Sequence, residues 1–265
     1  MNRFWCFFFS AAAVIAVLFS AIGSGYGWWF PGASHSPLGA EIDDLFYLIL
    51  VITSVTFIGV HIVLGYVLWQ FGSGKPRRAT FLHGSHALEV VWSIVPAGIL
   101  LFIALYQMDV WARYRLKSKF DPAAVAHPVA EVTARQFEWR IRYPAPGKTL
   151  KDTPQPDDLY TVNDLHVPVG KPVLIKLRSE DVLHSFFLPH LRVKQDAVPG
   201  LSIPVWFQAD KAQAYDLVCA ELCGWGHYKM RGQLTAQREE DYKAYLDELS
   251  HTQFDDGVAP EKKEE

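Results

Sequence analysis

Residues 45–71, LFYLILVITSVTFIGVHIVLGYVLWQF, form 27 consecutive positions without a formally charged side chain. Such a run is too apolar for the surface of a soluble domain. It is long enough to cross a bilayer with some tilt, since about 20 residues span the hydrocarbon core. Two other stretches behave alike. Residues 4–22, FWCFFFSAAAVIAVLFSAI, follow Arg3, and a third run extends from Leu88 to Met108, with Glu89 near its start and Pro96 within it. Charge follows the same division: only four of the 25 Lys and Arg, and four of the 28 Asp and Glu, precede residue 109. The polar remainder therefore carries the whole net charge of −3. This pattern excludes a disordered chain and a uniform soluble domain, and the acidic balance excludes a nucleic-acid binder of the basic type.

Residues 1–25 fit either a first membrane segment or a signal peptide, with Gly23, Ser24 and Gly25 as the small residues after the apolar run. Both readings send residues 26–43 across the membrane. The segment FGSGKPRRATFLHGSH holds Lys75, Arg77 and Arg78 and no acid, so the positive-inside rule places it in the cytoplasm. Helices over about 45–71 and 88–108 then make a transmembrane hairpin within 41–112. Everything after residue 112 is expected outside the cytoplasm, multi-pass anchored in a cell inner membrane. His61 reads as a packing group. Glu89 either reaches the cytoplasmic interface or takes up protons, because an acid inside a bilayer faces protein or water.

From residue 128 the sequence changes to short runs rich in branched and aromatic residues, separated by Pro144-Ala145-Pro146-Gly147, Gly170-Lys171-Pro172 and Pro199-Gly200. The runs VAEVTARQFEWRIRYP, DLHVPVG, PVLIKLRS, HSFFLP, IPVWFQA, AYDLVCA and MRGQLTAQ predict strands of a sandwich or barrel over 113–250. A helix is expected over Glu239–Leu249, with Tyr242, Tyr245 and Leu246 on its apolar face, and residues 251–265 as a disordered tail.

The chain has three cysteines. Cys6 lies in the first apolar run, lacks a lipobox and reads as filler. Cys219 and Cys223 stand in CAELCGWGHYKM with His227 and Met230, and His184 lies 35 residues upstream. Outside the cytoplasm a cysteine pair is most often a disulfide. On a strand, however, positions four apart lie roughly 13 Å from each other, too far for a bridge or a shared metal. The segment must turn, and Gly224 and Gly226 suit a compact loop. Two thiolates, a thioether and imidazoles are soft donors that favour copper, with zinc as the alternative. A mononuclear blue-copper site needs one thiolate, and the second argues for two bridged ions.

These residues resemble those of a known family. The CAELCGWGHYKM segment is similar to the dinuclear CuA loop of cytochrome c oxidase subunit II. SEDVLHSFFLP resembles that family's upstream ligand segment, VKQDAVPG the turn after it, and LEVVWSIVPA the start of its second membrane helix. The resemblance covers about residues 41–250 in order. It implies a cupredoxin-like β-barrel carried by a two-helix membrane hairpin, with residues 1–25 as a signal or an extra span. It implies further that Cys219 and Cys223 bridge two coppers, with His184 and His227 as terminal ligands. Met230 and the Glu221 carbonyl complete the set, and the Glu221 carboxylate holds a magnesium or manganese ion shared with subunit I. Glu89 matches a carboxylate at a proton channel. Glu180 and Asp181 match acids that attract a basic cytochrome c. The implied role is to receive electrons from a c-type cytochrome or another small redox protein and pass them to haem in subunit I. There oxygen is reduced, coupled to proton translocation.

One departure matters. The family's Q-W-x-W electron-input cluster here reads Gln136-Phe137-Glu138-Trp139, so Phe137 and Trp139 are the candidates. Three alternatives share parts of this pattern. A quinol oxidase subunit of the same fold lacks the copper thiolates. A membrane-anchored copper chaperone for oxidase assembly shares C-x-x-x-C and a distant His, but has one anchor and a thioredoxin-like fold. Nitrous-oxide reductase needs a propeller domain that this chain has no room for.

Overall fold

The computed structural model describes residues 2–28, 32–72, 81 and 83–253. Lys75, Arg77 and Arg78, and nearly all of the expected tail, lie outside the described residues. The chain divides into two compact units, Met1–Gly32 with Asp43–Asp109, and Ala33–Ile42 with Val110–Glu265.

The apolar runs fold as α1 (Asn2–Gly25), α2 (Pro37–Phe71) and α3 (His86–Arg115), and all three are long and apolar enough to cross a membrane. Pro37 opens α2, where its fixed φ and missing N–H suit a first helical turn. In α3, Glu89 lies in the first turn and Arg113 and Arg115 in the last, each of the sign that the helix dipole favours. The first segment packs on the second through small residues. A Cβ on Gly65 would fall 2.3 Å from Ser10 Oγ and 3.2 Å from the Cys6 carbonyl, so a larger residue here would require the serine to rotate and the helices to move apart slightly. Ala13 is buried in the same seam, and Phe7 meets Trp69 edge-on at 5.9 Å. His61 Nδ1 lies 2.9 Å from the Phe57 carbonyl one turn back, with the two rings 4.3 Å apart, so this histidine serves its own helix. None of the described α3 residues is buried, as expected of a helix that is apolar all round and faces lipid or another protein.

The second unit is built of strands. A short helix, α4 (Pro122–Ala126), is capped by Asp121, whose carboxylate accepts from the Ala123 and Ala124 amides. Then come β1 (Ala130–Arg135), β2 (Glu138–Tyr143), β3 (Leu159–Val162), β4 (Asp164–Pro168), β5 (Val173–Ser179) and β6 (His184–Leu188). They are followed by β7 (Val193–Ala197), β8 (Ile203–Phe207), β9 (Gln213–Cys219), β10 (Arg231–Gln237) and the helix α5 (Glu239–Thr252). Two five-stranded sheets result, in the orders β3-β2-β1-β5-β8 and β4-β10-β9-β6-β7. Among the pairs of these strands, β1–β5 and β4–β10 run parallel and the others antiparallel. The inner faces meet in one core containing Val132, Trp139, Ile141, Leu165, Phe186, Leu217 and Leu234, and the domain has the cupredoxin-like architecture. VKQDA is a strand before the turn at Pro199-Gly200. Val193 and Ala197 point inward while Lys194 and Asp196 point out, the period-2 signature of a half-wet edge. Tyr242, Tyr245, Leu246 and Leu249 of α5 pack against the core.

One buried ionic cluster pins the long β2–β3 connection. Arg142 donates to Asp158 at 2.6 Å and pairs with Glu131 at 3.0 Å, and all three residues are buried. It also donates to the Lys151 carbonyl in that connection. Burial opposes the Arg142 charge, but the two carboxylates outweigh it and hold its pKa above the ordinary value. Removing the guanidinium leaves buried Asp158 without its cation and buried Glu131 with Arg178 alone, 3.1 Å away. Arg142→Ala should therefore destabilise the β domain by about 3–5 kcal/mol in denaturant unfolding. A loss below about 1 kcal/mol would mean that the two acids find other partners.

Candidate metal centre

Strand register brings the distant histidine to the cysteine loop. The β6–β9 pair matches Phe186 with Cys219, so His184, two residues along β6, sits at the sheet end where β9 runs into its loop. The Ala220 amide donates to the Ser185 carbonyl and extends that pairing. Beyond it the chain turns. The Cys219 amide donates to the Met230 carbonyl, and His227–Lys229 form a single 3₁₀ turn leading into β10.

Two glycines make this loop possible. Gly224 has φ +136°, a conformation that L side chains rarely adopt, and a Cβ on Gly226 would lie 2.5 Å from the Phe137 ring. Phe137 is at the two-residue turn between β1 and β2, half-buried, and forms a floor beneath the loop. Its neighbour Gln136 donates from Nε2 to the Cys223 carbonyl at 2.6 Å.

The donors converge here. The Cys219 and Cys223 sulfurs are 3.9 Å apart, and both thiols are free. His184 Nδ1 is 3.9 Å from the Cys219 sulfur, and His227 Nδ1 is 3.6 Å from that of Cys223. Met230 Sδ lies 3.8 Å from Cys223 Sγ and is buried, and the Glu221 carbonyl is 3.2 Å from Cys219 Sγ. The ligand atoms of His184, Cys219 and Cys223 lie within 4.8 Å of one another. The Glu221 residue is exposed. Soft sulfur and imidazole donors at this spacing suit a copper-type ion better than a hard one.

The surroundings orient and charge this set. Asp181 accepts from His184 Nε2 at 2.8 Å, leaving Nδ1 to face the sulfurs. The same carboxylate accepts from the Gln136 and Val182 amides. Burial alone would raise the Asp181 pKa, but these hydrogen bonds hold it below the ordinary value. Burial likewise opposes the His184 cation, while Cys219 and Asp181 raise its pKa. For Cys219 burial works against ionisation, yet the hydrogen bonds from His184 and the surrounding backbone bring the thiol down to about 6. Burial and then the neighbouring Cys219 charge push Cys223 up to about 11.

Other sequence-marked residues fall differently. Trp139 is fully buried, edge-on to Phe186 at 5.8 Å and 6.4 Å from His184. Glu180 is exposed and lies 3.9 Å from Arg140. Glu89 belongs to the other unit, in the first turn of α3. The parts not foreseen are the hold of Asp181 on His184, the Gln136 tie, and the Phe137 floor. Only Asp181, three residues before the histidine, leaves a local trace.

Comparison with known proteins bears on the whole chain. The family described as "Cytochrome C oxidase subunit II, transmembrane domain" matches residues 23–110, and "Cytochrome C oxidase subunit II, periplasmic domain" matches residues 141–236. The alternative cytochrome c oxidase subunit 2 of Bradyrhizobium diazoefficiens is 31% identical, over 89% of this chain and 91% of that protein. Cytochrome c oxidase subunit 2 of Thermostichus vulcanus is 27% identical, over 89% of this chain and 83% of that one. Among solved structures, the periplasmic domain of subunit II of cytochrome oxidase (CoxB) of Bradyrhizobium japonicum aligns with a TM-score of 0.41 at 24% identity. It covers 46% of this chain and 93% of that domain.

The thiol asymmetry is open to test in the metal-free protein. Alkylation of Cys219 should rise with pH through about 6, whereas Cys223 should stay unlabelled until strongly alkaline pH. Peptide mass spectrometry after timed labelling reads both. Parallel titration of the two cysteines would contradict this assignment.

Proposed function

The chain belongs to the cytochrome c oxidase subunit II family, and we propose that it is the electron-input subunit, built around a dinuclear CuA centre. As a member of that family it is part of a membrane oxidoreductase complex with other oxidase subunits, anchored by three apolar helices with its β domain outside the cytoplasm. Cys219 and Cys223 would bridge the two ions, with His184 and His227 at the ends and Met230 and the Glu221 carbonyl as weak donors. Bound there, the pair of coppers would supply one-electron chemistry, from a c-type cytochrome or similar donor to haem in the partner subunit that reduces oxygen. The observation that carries this reading is the convergence of two free thiols 3.9 Å apart with two imidazoles and a buried thioether.

The protein's own part is preorganisation. Asp181 holds the proton on His184 Nε2, so a ligand bond at Nδ1 needs only the loss of the Nδ1 proton and no change of tautomer. Gln136 and the Phe137 floor hold the loop, which keeps the donors in one arrangement through a change of oxidation state. Phe186, Trp139 and the other core side chains keep water from the inner side. Glu221 divides its roles, its carbonyl beside the sulfurs and its exposed carboxylate free for a hard magnesium or manganese ion shared with subunit I. Against a copper chaperone of the thioredoxin-like type stand the two five-stranded sheets.

Copper analysis and electron paramagnetic resonance of the purified β domain, about residues 113–250, should find two coppers in a mixed-valence centre. Cys219→Ser or Cys223→Ser should abolish that signal. One copper per chain, or zinc in its place, would sink the assignment.

Glu89 is proposed to take up protons at the cytoplasmic end of α3, where the helix dipole tolerates an acid. Glu89→Gln should slow oxygen consumption by the assembled complex while leaving reduction of the copper centre intact. Unchanged turnover would reject the role.

A further inference from the structure

The two residues marked by sequence as the electron-input point offer little to a partner. Trp139 is fully buried, and the half-buried Phe137 ring packs against Gly224 and Gly226. The loop itself presents another indole. Trp225, between Cys223 and His227, is 76% exposed, and its ring meets that of Phe137 edge-on at 5.2 Å. Leu222 and Tyr228 on the same loop are 77% and 78% exposed. A loop too tight for a Cβ at two positions nonetheless carries three large apolar groups pointing away from the core. Packing does not account for them. Exposed apolar patches mark contact surfaces, and Trp and Tyr dominate the binding energy of such surfaces.

The charges nearby point the same way. Asp181 is spent on His184 and two backbone amides. Glu180 lies 3.9 Å from Arg140, which also binds Glu138. Lys229 Nζ sits 4.5 Å above the Trp225 ring and places a positive charge on the patch itself. Glu221 is the exposed acid of the loop, and Lys229 offsets its charge, so the patch carries no net acidic charge to attract a basic partner.

We infer that Trp225 is the contact residue for the electron donor, and that the donor is a small redox protein presenting an uncharged, apolar surface over its redox group. This inference rests on the copper-relay reading above. In the step concerned, one electron leaves the reduced donor, which is oxidised, and enters the centre, which is reduced. Trp225 supplies apolar contact area, and Phe137 beneath it holds the indole in place.

The test uses the assembled oxidase complex, with Trp225→Ala, Trp225→Phe and Glu180→Gln compared with the unaltered protein. The probes are a weakly charged small c-type cytochrome, a strongly basic one, and hexaammineruthenium(II) as a reductant that needs no docking. Single-turnover reduction of the centre is followed across a salt series, with copper content and spin-resonance spectrum measured on each sample. Trp225→Ala should slow delivery from the weakly charged cytochrome about tenfold or more, and Trp225→Phe should recover much of that loss. Copper content, spectrum and reduction by the ruthenium complex should not change. Delivery from the weakly charged cytochrome should depend little on salt and not at all on Glu180→Gln. A normal copper centre whose reduction ignores Trp225→Ala overturns this inference alone, as does a faster, steeply salt-dependent reaction with the basic cytochrome that Glu180→Gln weakens. A native complex without copper overturns the relay reading, and this one with it.

Discussion

Two sulfur atoms four residues apart can stand 3.9 Å from each other only where the chain between them leaves the extended state, and the site depends on that turn. The turn needs a φ of +136° at Gly224 and a bare Cα at Gly226, because the Phe137 ring already fills the space beside it. It also needs an anchored start and finish, supplied by the Cys219 amide on the Met230 carbonyl and by β10 entering the sheet beside β9. His184 then arrives from β6 by sheet register, without a connection of its own to the loop. The centre is thus a product of sheet pairing at one end of the sandwich. Its donors are assembled by backbone hydrogen bonds before any ion is considered.

Legibility in the sequence tracked how local the physics is. The three apolar helices follow from composition alone, since a single long apolar run satisfies its own backbone in lipid only as a helix. Strands such as Val173–Ser179 and the apolar face of α5 follow from periodicity. The short edges Leu159–Val162 and Val193–Ala197 are quieter, because an edge strand is held by one neighbour and carries polar residues outward. Of the site, Cys219, Cys223, His227 and Met230 sit in one segment and can be read together. The Asp181–His184 bond has a trace in spacing. The Gln136–Cys223 tie spans 87 residues and the Phe137 floor joins two loops, and neither contact is written in any local pattern.

The charge division of the chain also acquires a physical account. The front is poor in charge because its helices face lipid or other protein, and α3 has no buried residue among those described. The back is rich in charge, and part of that charge, Glu131, Arg142 and Asp158, is turned inward. Arg142 neutralises two buried acids that fasten the β2–β3 connection, and Asp181 is committed to a histidine. A net charge of −3 is therefore a poor guide to the field at any one surface of this domain.

Gly224 and Gly226 have no room for a side chain, whereas residue 225 between them points into solvent. The loop thus alternates frozen and unconstrained positions. Substitution at the first kind dismantles the centre, while substitution at the second alters only what the centre shows to the outside. Under the contact role inferred for Trp225, a lineage would exchange one redox partner for another by changing that single residue, with the metal-ligating side chains left in place. On that inference, partner choice and metal ligation share one loop and are yet separately heritable.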